Sequence, residues 1–208
     1  MISIKNKFLF IHIPKTGGNS IQTVLNRYSD DEITVNGVVI KNSEQTHLDR
    51  FGVKYKDFEL GKHSSLKEYN EAIGNEIDGL YKFATIRNPW DRAVSFYFSP
   101  HRGKVEWDKQ KFIQFVSSQV EPVRHYLTLE TGDDFLLNVD RIIKFEDLAK
   151  HFNEVALKLN LEQTKLPHRN QSKKQHYSYY YDKELIEFIG EHFKEDIKIG
   201  DYEFSKQV

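Results

Sequence analysis

The chain has 208 residues, 38% hydrophobic and 29% charged, which is enough for one domain with a sizeable core and polar enough for a globular protein in water. Lys and Arg (30) nearly balance Asp and Glu (31), so no whole-molecule field names a partner, and nucleic acid is not expected; any anion site must come from local placement of basic groups. The absence of cysteine excludes a disulfide framework, a thiolate metal site and a cysteine nucleophile, and it fits a reducing, cytoplasmic compartment.

At the start, Lys5 and Lys7 precede Phe8-Leu9-Phe10-Ile11, but His12, Pro14 and Lys15 end the run too soon for a secretory signal. No stretch approaches the roughly 18 apolar residues of a membrane helix, so a soluble single domain over residues 1–208 is expected. The apolar run Lys7 to Ile13 reads as a buried strand, Pro14 to Gly18 breaks it, and Asn19 to Tyr28 has helical spacing at Ile21, Val24 and Leu25. Asn36-Gly37 among β-branched residues predicts a hairpin over Ile33 to Ile40. Phe58 to Leu60 is a strand candidate and Ser65 to Ile73 a short helix. Tyr81 to Ile86 is a second buried strand, followed by a helix that Pro89 opens and that runs through Phe98. Lys109 to Ser118 is an amphipathic helix, Arg141 to Phe145 a third strand, and Glu146 to Leu159 a helix with an apolar stripe at Leu148, Phe152, Val155 and Leu159. A polar loop, Pro167 to His176, leads to a last helix over Lys183 to Phe193. Alternating strands and helices predict an α/β fold, a mainly parallel sheet flanked by helices.

Two segments carry chemistry. In Pro14-Lys15-Thr16-Gly17-Gly18-Asn19-Ser20, a glycine pair between strand and helix lets the backbone turn tightly and aim N–H groups at an anion. Lys15 adds a full charge, and Thr16, Asn19 and Ser20 add side-chain donors. The arrangement is a P-loop-like phosphate cradle, although lysine precedes the glycines rather than following them as in nucleoside-triphosphate loops. The plainer alternative is a β-to-α turn with an N-cap at Asn19 or Ser20. In the second segment Arg87 closes a strand and Ser95 lies two helical turns on, so both can reach one phosphate at the sheet edge where open α/β sheets bind ligands. The alternative there is an arginine paired with Asp91 and a capping serine.

Together, Ile13 to Ser20 and Phe83-Ala84-Thr85-Ile86-Arg87-Asn88-Pro89-Trp90-Asp91-Arg92-Ala93-Val94-Ser95 resemble the two nucleotide-binding segments of the sulfotransferase superfamily, in the right order. The closer likeness is to the carbohydrate-sulfotransferase branch and its small bacterial members. Arg141 to Leu148, Leu166-Pro167-His168-Arg169-Asn170 and Asp196 to Phe204 resemble later landmarks of that branch.

The resemblance implies a donor, 3′-phosphoadenosine 5′-phosphosulfate, whose 5′-phosphosulfate meets Lys15, Thr16, Gly17, Gly18, Asn19 and Ser20 and whose 3′-phosphate meets Arg87 and Ser95. It implies a hydroxyl-bearing acceptor, a glycan by family likeness, and a histidine base in the place held by Gly61-Lys62-His63-Ser64-Ser65. His63 is therefore the candidate base, with His47 and His125 in reserve, and Lys15 the stabiliser of the leaving oxygen. His12, inside a strand, reads as structural. No metal is signalled, since there is no two-histidine helical motif.

The loop Pro167 to Lys174, with Arg169, Asn170, Ser172, Lys173 and Lys174, either closes over the adenosine side or is a solvated basic loop. Tyr177, Tyr179, Tyr180 and Tyr181 read as packing for the last helix. Ser99 to Gln119, with His101, Arg102, Lys104, Lys109 and Lys111, either lines a groove for an acidic substrate or is a solvated face. The rival functions are an ATP-dependent small-molecule kinase and a non-catalytic glycan- or nucleotide-binding module. The sequence carries no sign of oligomeric state.

Overall fold

A computed structural model describes residues 1–35, 38–40, 52–99, 102–129, 137–162, 165–167 and 175–206. Among these, strands β1 (Ile2–Ser3), β2 (Phe8–Ile11), β7 (Tyr81–Ile86) and β8 (Arg141–Lys144) form a central sheet in the order β1-β2-β7-β8. The β2–β7 and β7–β8 pairs are parallel, with Phe8 opposite Tyr81 and Ile86 opposite Lys144. Every residue of β2 is buried, as expected for a strand covered on both faces. Its side chains alternate between two cores. Leu9 and Ile11 pack with α2 (Leu66–Ile73) and α5 (Val123–Leu127), while Phe8 and Phe10 pack with α1 (Gly18–Leu25) and α6 (Leu148–Lys158). A third core joins α3 (Pro89–Tyr97), α4 (Lys109–Gln119) and α7 (Lys183–His192) through Trp90, Tyr97, Phe112 and Ile189.

The α/β expectation holds, and the parallel arrangement holds for β2, β7 and β8. It does not extend further. β1 runs antiparallel to β2, and a second sheet is antiparallel throughout. That sheet contains β3 (Glu32–Val35), β4 (Val38–Ile40), β5 (Gly52–Tyr55) and β6 (Phe58–Gly61), in the order β4-β3-β5-β6. The reason is connection length: β5 and β6 are joined by Lys56 and Asp57 alone, and two residues can only make a hairpin. The expected β3–β4 hairpin is present, with Val35 opposite Val38, while its Asn36-Gly37 turn lies outside the described residues.

Helix starts follow cap chemistry. Ser65 and Glu68 form a reciprocal capping box on α2, Asn88 accepts from the N–H groups of Trp90 and Asp91, and Asp108 and Asp182 cap α4 and α7. α6 starts at Leu148, two residues after the expected Glu146, because Phe145–Asp147 first make a 3₁₀ turn. α5 and α8 (Lys194–Gly200) were not expected from the sequence. Tyr177, Tyr180 and Tyr181 pack as read, with Tyr177 buried and the Tyr181 hydroxyl donating to the Trp90 carbonyl at 2.8 Å, but Tyr179 is exposed and does not.

Candidate active site

A cleft of about 650 Å³ opens at the carboxyl ends of β2 and β7, a size that suits a nucleotide-scale ligand. Lys15, Gly17, Gly18, Asn19, Ser20, His63, Arg87 and Ser95 all line it, so the two nominated segments and the nominated histidine meet in one place. Lys62, His12, Phe145, Phe96, Ser99, Arg102, Phe115 and Gln119 complete the lining.

The β2–α1 loop is built by close approach. Gly17 is the N-cap of α1 with φ 86, and no side chain caps the helix, so neither Asn19 nor Ser20 serves as the cap. A Cβ on Gly17 would come within 2.7 Å of the Phe145 ring, and one on Gly18 would overlap the His12 ring. Glycine is required at both positions, by φ and by contact at the first and by contact alone at the second. Lys15 itself has φ 65, a left-handed conformation rare for a side-chain-bearing residue and commonest where a site demands it.

Thr16 is the nominated residue that does not line the cleft. Its side chain is buried, and the hydroxyl lies 2.8 Å from the Ile13 carbonyl and 2.6 Å from the Thr85 hydroxyl. It ties the loop to β7 from behind.

Arg87 sits at the end of β7 with its guanidinium 4.2 Å above the centre of the Phe145 ring. It donates to the Ser95 hydroxyl and to the Lys15 carbonyl, each at 3.3 Å, so it bridges the two segments. It also pairs with Asp91 at 2.6 Å, so the plainer reading of an Arg87–Asp91 pair holds alongside. That carboxylate holds one side of the fork and orients the rest toward the cleft.

β6 ends at Gly61 and delivers Lys62 and His63. The His63 ring meets the His12 ring edge-on at 4.7 Å, and its Nδ1 lies 2.7 Å from the His12 carbonyl oxygen. A carbonyl can only accept, so Nδ1 carries the proton and Nε2 the lone pair. Burial, above all, pushes His63 down to about 4; Lys62, Arg92 and Lys15 push the same way, against the His12 carbonyl. The imidazole is therefore neutral near pH 7. His12, read from sequence as structural, does both jobs: it packs on Phe10 and Gly18, and its ring lines the cleft. Lys62 is buried at the cleft beside the histidines. Its adjacency to His63 in the chain was the signal available for it.

Beneath the loop, the buried Arg92 guanidinium donates to the Pro14 carbonyl at 3.1 Å and the Glu121 carbonyl at 2.9 Å, and pairs with Asp196 at 3.5 Å. Asp196 also accepts from the Val123 N–H at 2.9 Å, so one buried pair ties the β2–α1 loop to α5 and α8. Of the reserve histidines, His125 is half-exposed on α5 near Glu121 and away from the cleft, and His47 lies outside the described residues. Arg169, Asn170, Ser172, Lys173 and Lys174 also lie outside them, as does His101.

The chain matches the model of the Sulfotransferase family over residues 1–203. No curated protein and no solved structure matches it. The match spans both nominated segments, the histidine between them and the C-terminal helices. The chain belongs to the sulfotransferase family, a family of transferases acting on sulfuryl groups.

Proposed function

We propose that this protein transfers the sulfuryl group of 3′-phosphoadenosine 5′-phosphosulfate to a hydroxyl of a carbohydrate acceptor, with His63 as general base. The observation that carries the reading is the convergence, in one cleft, of a glycine-built loop with Lys15, an Arg87–Ser95 pair, and a neutral imidazole whose Nε2 holds a lone pair. The residues suit the donor's charges: Lys15 and the start of α1 for the 5′ side, Arg87 and Ser95 for the 3′-phosphate.

His63 Nε2 takes the acceptor hydroxyl proton as the acceptor oxygen bonds to sulfur. The bond from sulfur to the bridging phosphate oxygen breaks on the opposite side, and adenosine 3′,5′-bisphosphate leaves. Lys15 stabilises the negative charge that grows on that bridging oxygen. Arg87 and Ser95 hold the distant phosphate and so fix where sulfur sits relative to His63. The His12 carbonyl keeps the imidazole in the tautomer that can accept, and stabilises the imidazolium that forms.

The test is a screen of mono- and oligosaccharide acceptors with isotopically labelled phosphosulfate donor, reading an added sulfate by product mass, beside a parallel screen with ATP. Sulfated product that disappears in His63→Ala supports the proposal. Donor binding without product across the panel would leave a binding module, and phosphorylated product would make the protein a kinase.

A further inference from the structure

The cleft holds a cation that the reaction just described does not use. Arg102 lies just after α3, its N–H donating to the Ser99 carbonyl and the Ser99 N–H to the Phe96 carbonyl, and Ser95, Phe96, Ser99 and Arg102 all line the cleft. Its guanidinium lies 4.0 Å above the centre of the Phe115 ring and 4.8 Å from that of Tyr97, and donates to the Tyr97 carbonyl at 2.7 Å. Phe96 meets Phe115 edge-on at 5.6 Å, and the buried Ser99 and the exposed Gln119 line the same cleft.

The Arg87 fork is shared with Asp91, and the buried Arg92, beneath the loop, pairs with Asp196. Arg102 has no carboxylate partner among the described residues, although the side chain is held in place by two rings and a carbonyl. An exposed arginine normally loses conformational freedom when it binds. Here that freedom is already spent, so an incoming anion meets a preorganised fork. Apolar rings beside an arginine, a hydroxyl and an amide are the surface that a sugar with one charged substituent needs: C–H faces on the rings, the charge on the guanidinium.

We propose that Arg102, with Phe96, Ser99, Phe115 and Gln119, forms an acceptor subsite that selects a sugar bearing its own anionic group, a carboxylate or an acidic ester. This rests on the sulfuryl-transfer reading above. Arg102 acts on which acceptor binds, not on the donor and not on the proton transfer.

The experiment measures kcat/KM for three probes with phosphosulfate donor: p-nitrophenyl β-D-glucuronide, p-nitrophenyl β-D-glucoside and p-nitrophenyl β-D-glucoside 6-phosphate. It compares the unmutated protein with Arg102→Gln and Arg102→Lys, and calorimetry with adenosine 3′,5′-bisphosphate is run on all three proteins. The expected result is that at least one charged probe exceeds the neutral one by about ten- to a hundredfold, mostly in KM, with the two charged probes telling carboxylate from ester. Arg102→Gln should erase that preference while leaving the neutral probe and bisphosphate affinity unchanged, and Arg102→Lys should recover part of it. Tight bisphosphate binding with no preference for either charged probe overturns the subsite alone, and so does a loss of bisphosphate affinity in Arg102→Gln. Failure of the unmutated protein to bind bisphosphate removes the donor reading, and the subsite with it.

Discussion

The His63 Nδ1–H donates to the backbone carbonyl of His12 across 2.7 Å, which joins the base of the proposed reaction to the segment that leads from β2 into the β2–α1 loop. The same contact leaves Nε2 as the acceptor, and any movement of His12 moves the base.

His63→Ala should lower turnover by about a hundred- to ten-thousandfold and leave affinity for adenosine 3′,5′-bisphosphate nearly intact. In the free protein, burial and neighbouring cations hold His63 down to about 4. The nucleotide's negative charges, set against Lys15, Lys62 and Arg92, should raise it. NMR titration of the histidine ring protons with and without bisphosphate reads this directly. An unchanged midpoint on binding would show that nucleotide and imidazole do not share the cleft.

Lys15→Gly separates charge from backbone. The left-handed φ 65 suits glycine, so the variant should fold at least as stably as the parent. Turnover should fall by roughly a hundred- to a thousandfold, because the leaving oxygen loses its cation, and bisphosphate binding should fall less. Near-normal kcat would remove Lys15 from the mechanism.

Gly18→Ala puts a methyl into the His12 ring. His12 must shift and carry its carbonyl with it, so both nucleotide affinity and kcat should drop, with a loss of stability of about 1–3 kcal/mol from overpacking. Activity and melting temperature measured together check this, and a variant equal to the parent in both would show that the loop accommodates a side chain there.

Much of this was legible in the chain. Tyr81–Ile86 and Lys183–His192 fall where periodicity puts them, to within a residue, because each is a strongly patterned segment whose neighbours are fixed by Pro89 and Asp182. Lys15, Gly17, Gly18, Arg87 and Ser95 were legible from their spacing at strand ends and in the following helices, whereas His63 was nominated by the family resemblance alone. What was not legible depends on distant partners. Thr16 turns inward because Thr85, 69 residues away, is there to meet its hydroxyl. β5 reads as a strand only beside β3 and β6. Arg92 was visible as a basic residue in a motif, but Asp196, 104 residues on, decides that it is buried rather than presented to ligand.

That pair gives its own prediction. Arg92→Met should destabilise the fold by about 3–5 kcal/mol by stranding a buried carboxylate, and adding Asp196→Asn should restore much of the loss. Burial already raises Asp196 from 3.8 to about 6 in the intact pair, against the pull of Arg92. The folded state thus binds a proton that the unfolded chain gives up, so this site's contribution is greatest at acid pH and is lost as pH rises through about 6. Without Arg92 the carboxyl rises further, so the deficit in Arg92→Met should be largest above that pH and shrink below it. Urea denaturation on either side of the midpoint checks the sign; a deficit independent of pH would mean that Asp196 is not its source.

The most direct measurement of the central claim is the affinity of the protein for adenosine 3′,5′-bisphosphate against adenosine 5′-monophosphate, by calorimetric titration. In the proposed reading Arg87, braced by Asp91 and Phe145 and bonded to Ser95, takes the extra phosphate. Charge-assisted hydrogen bonds of this kind contribute about 1.5–3 kcal/mol, so the bisphosphate should bind at least about ten- to a hundredfold more tightly, and Arg87→Ala should erase most of the difference while changing monophosphate binding little. Equal affinities in the unmutated protein would contradict the 3′-phosphate clamp and, with it, the phosphosulfate donor.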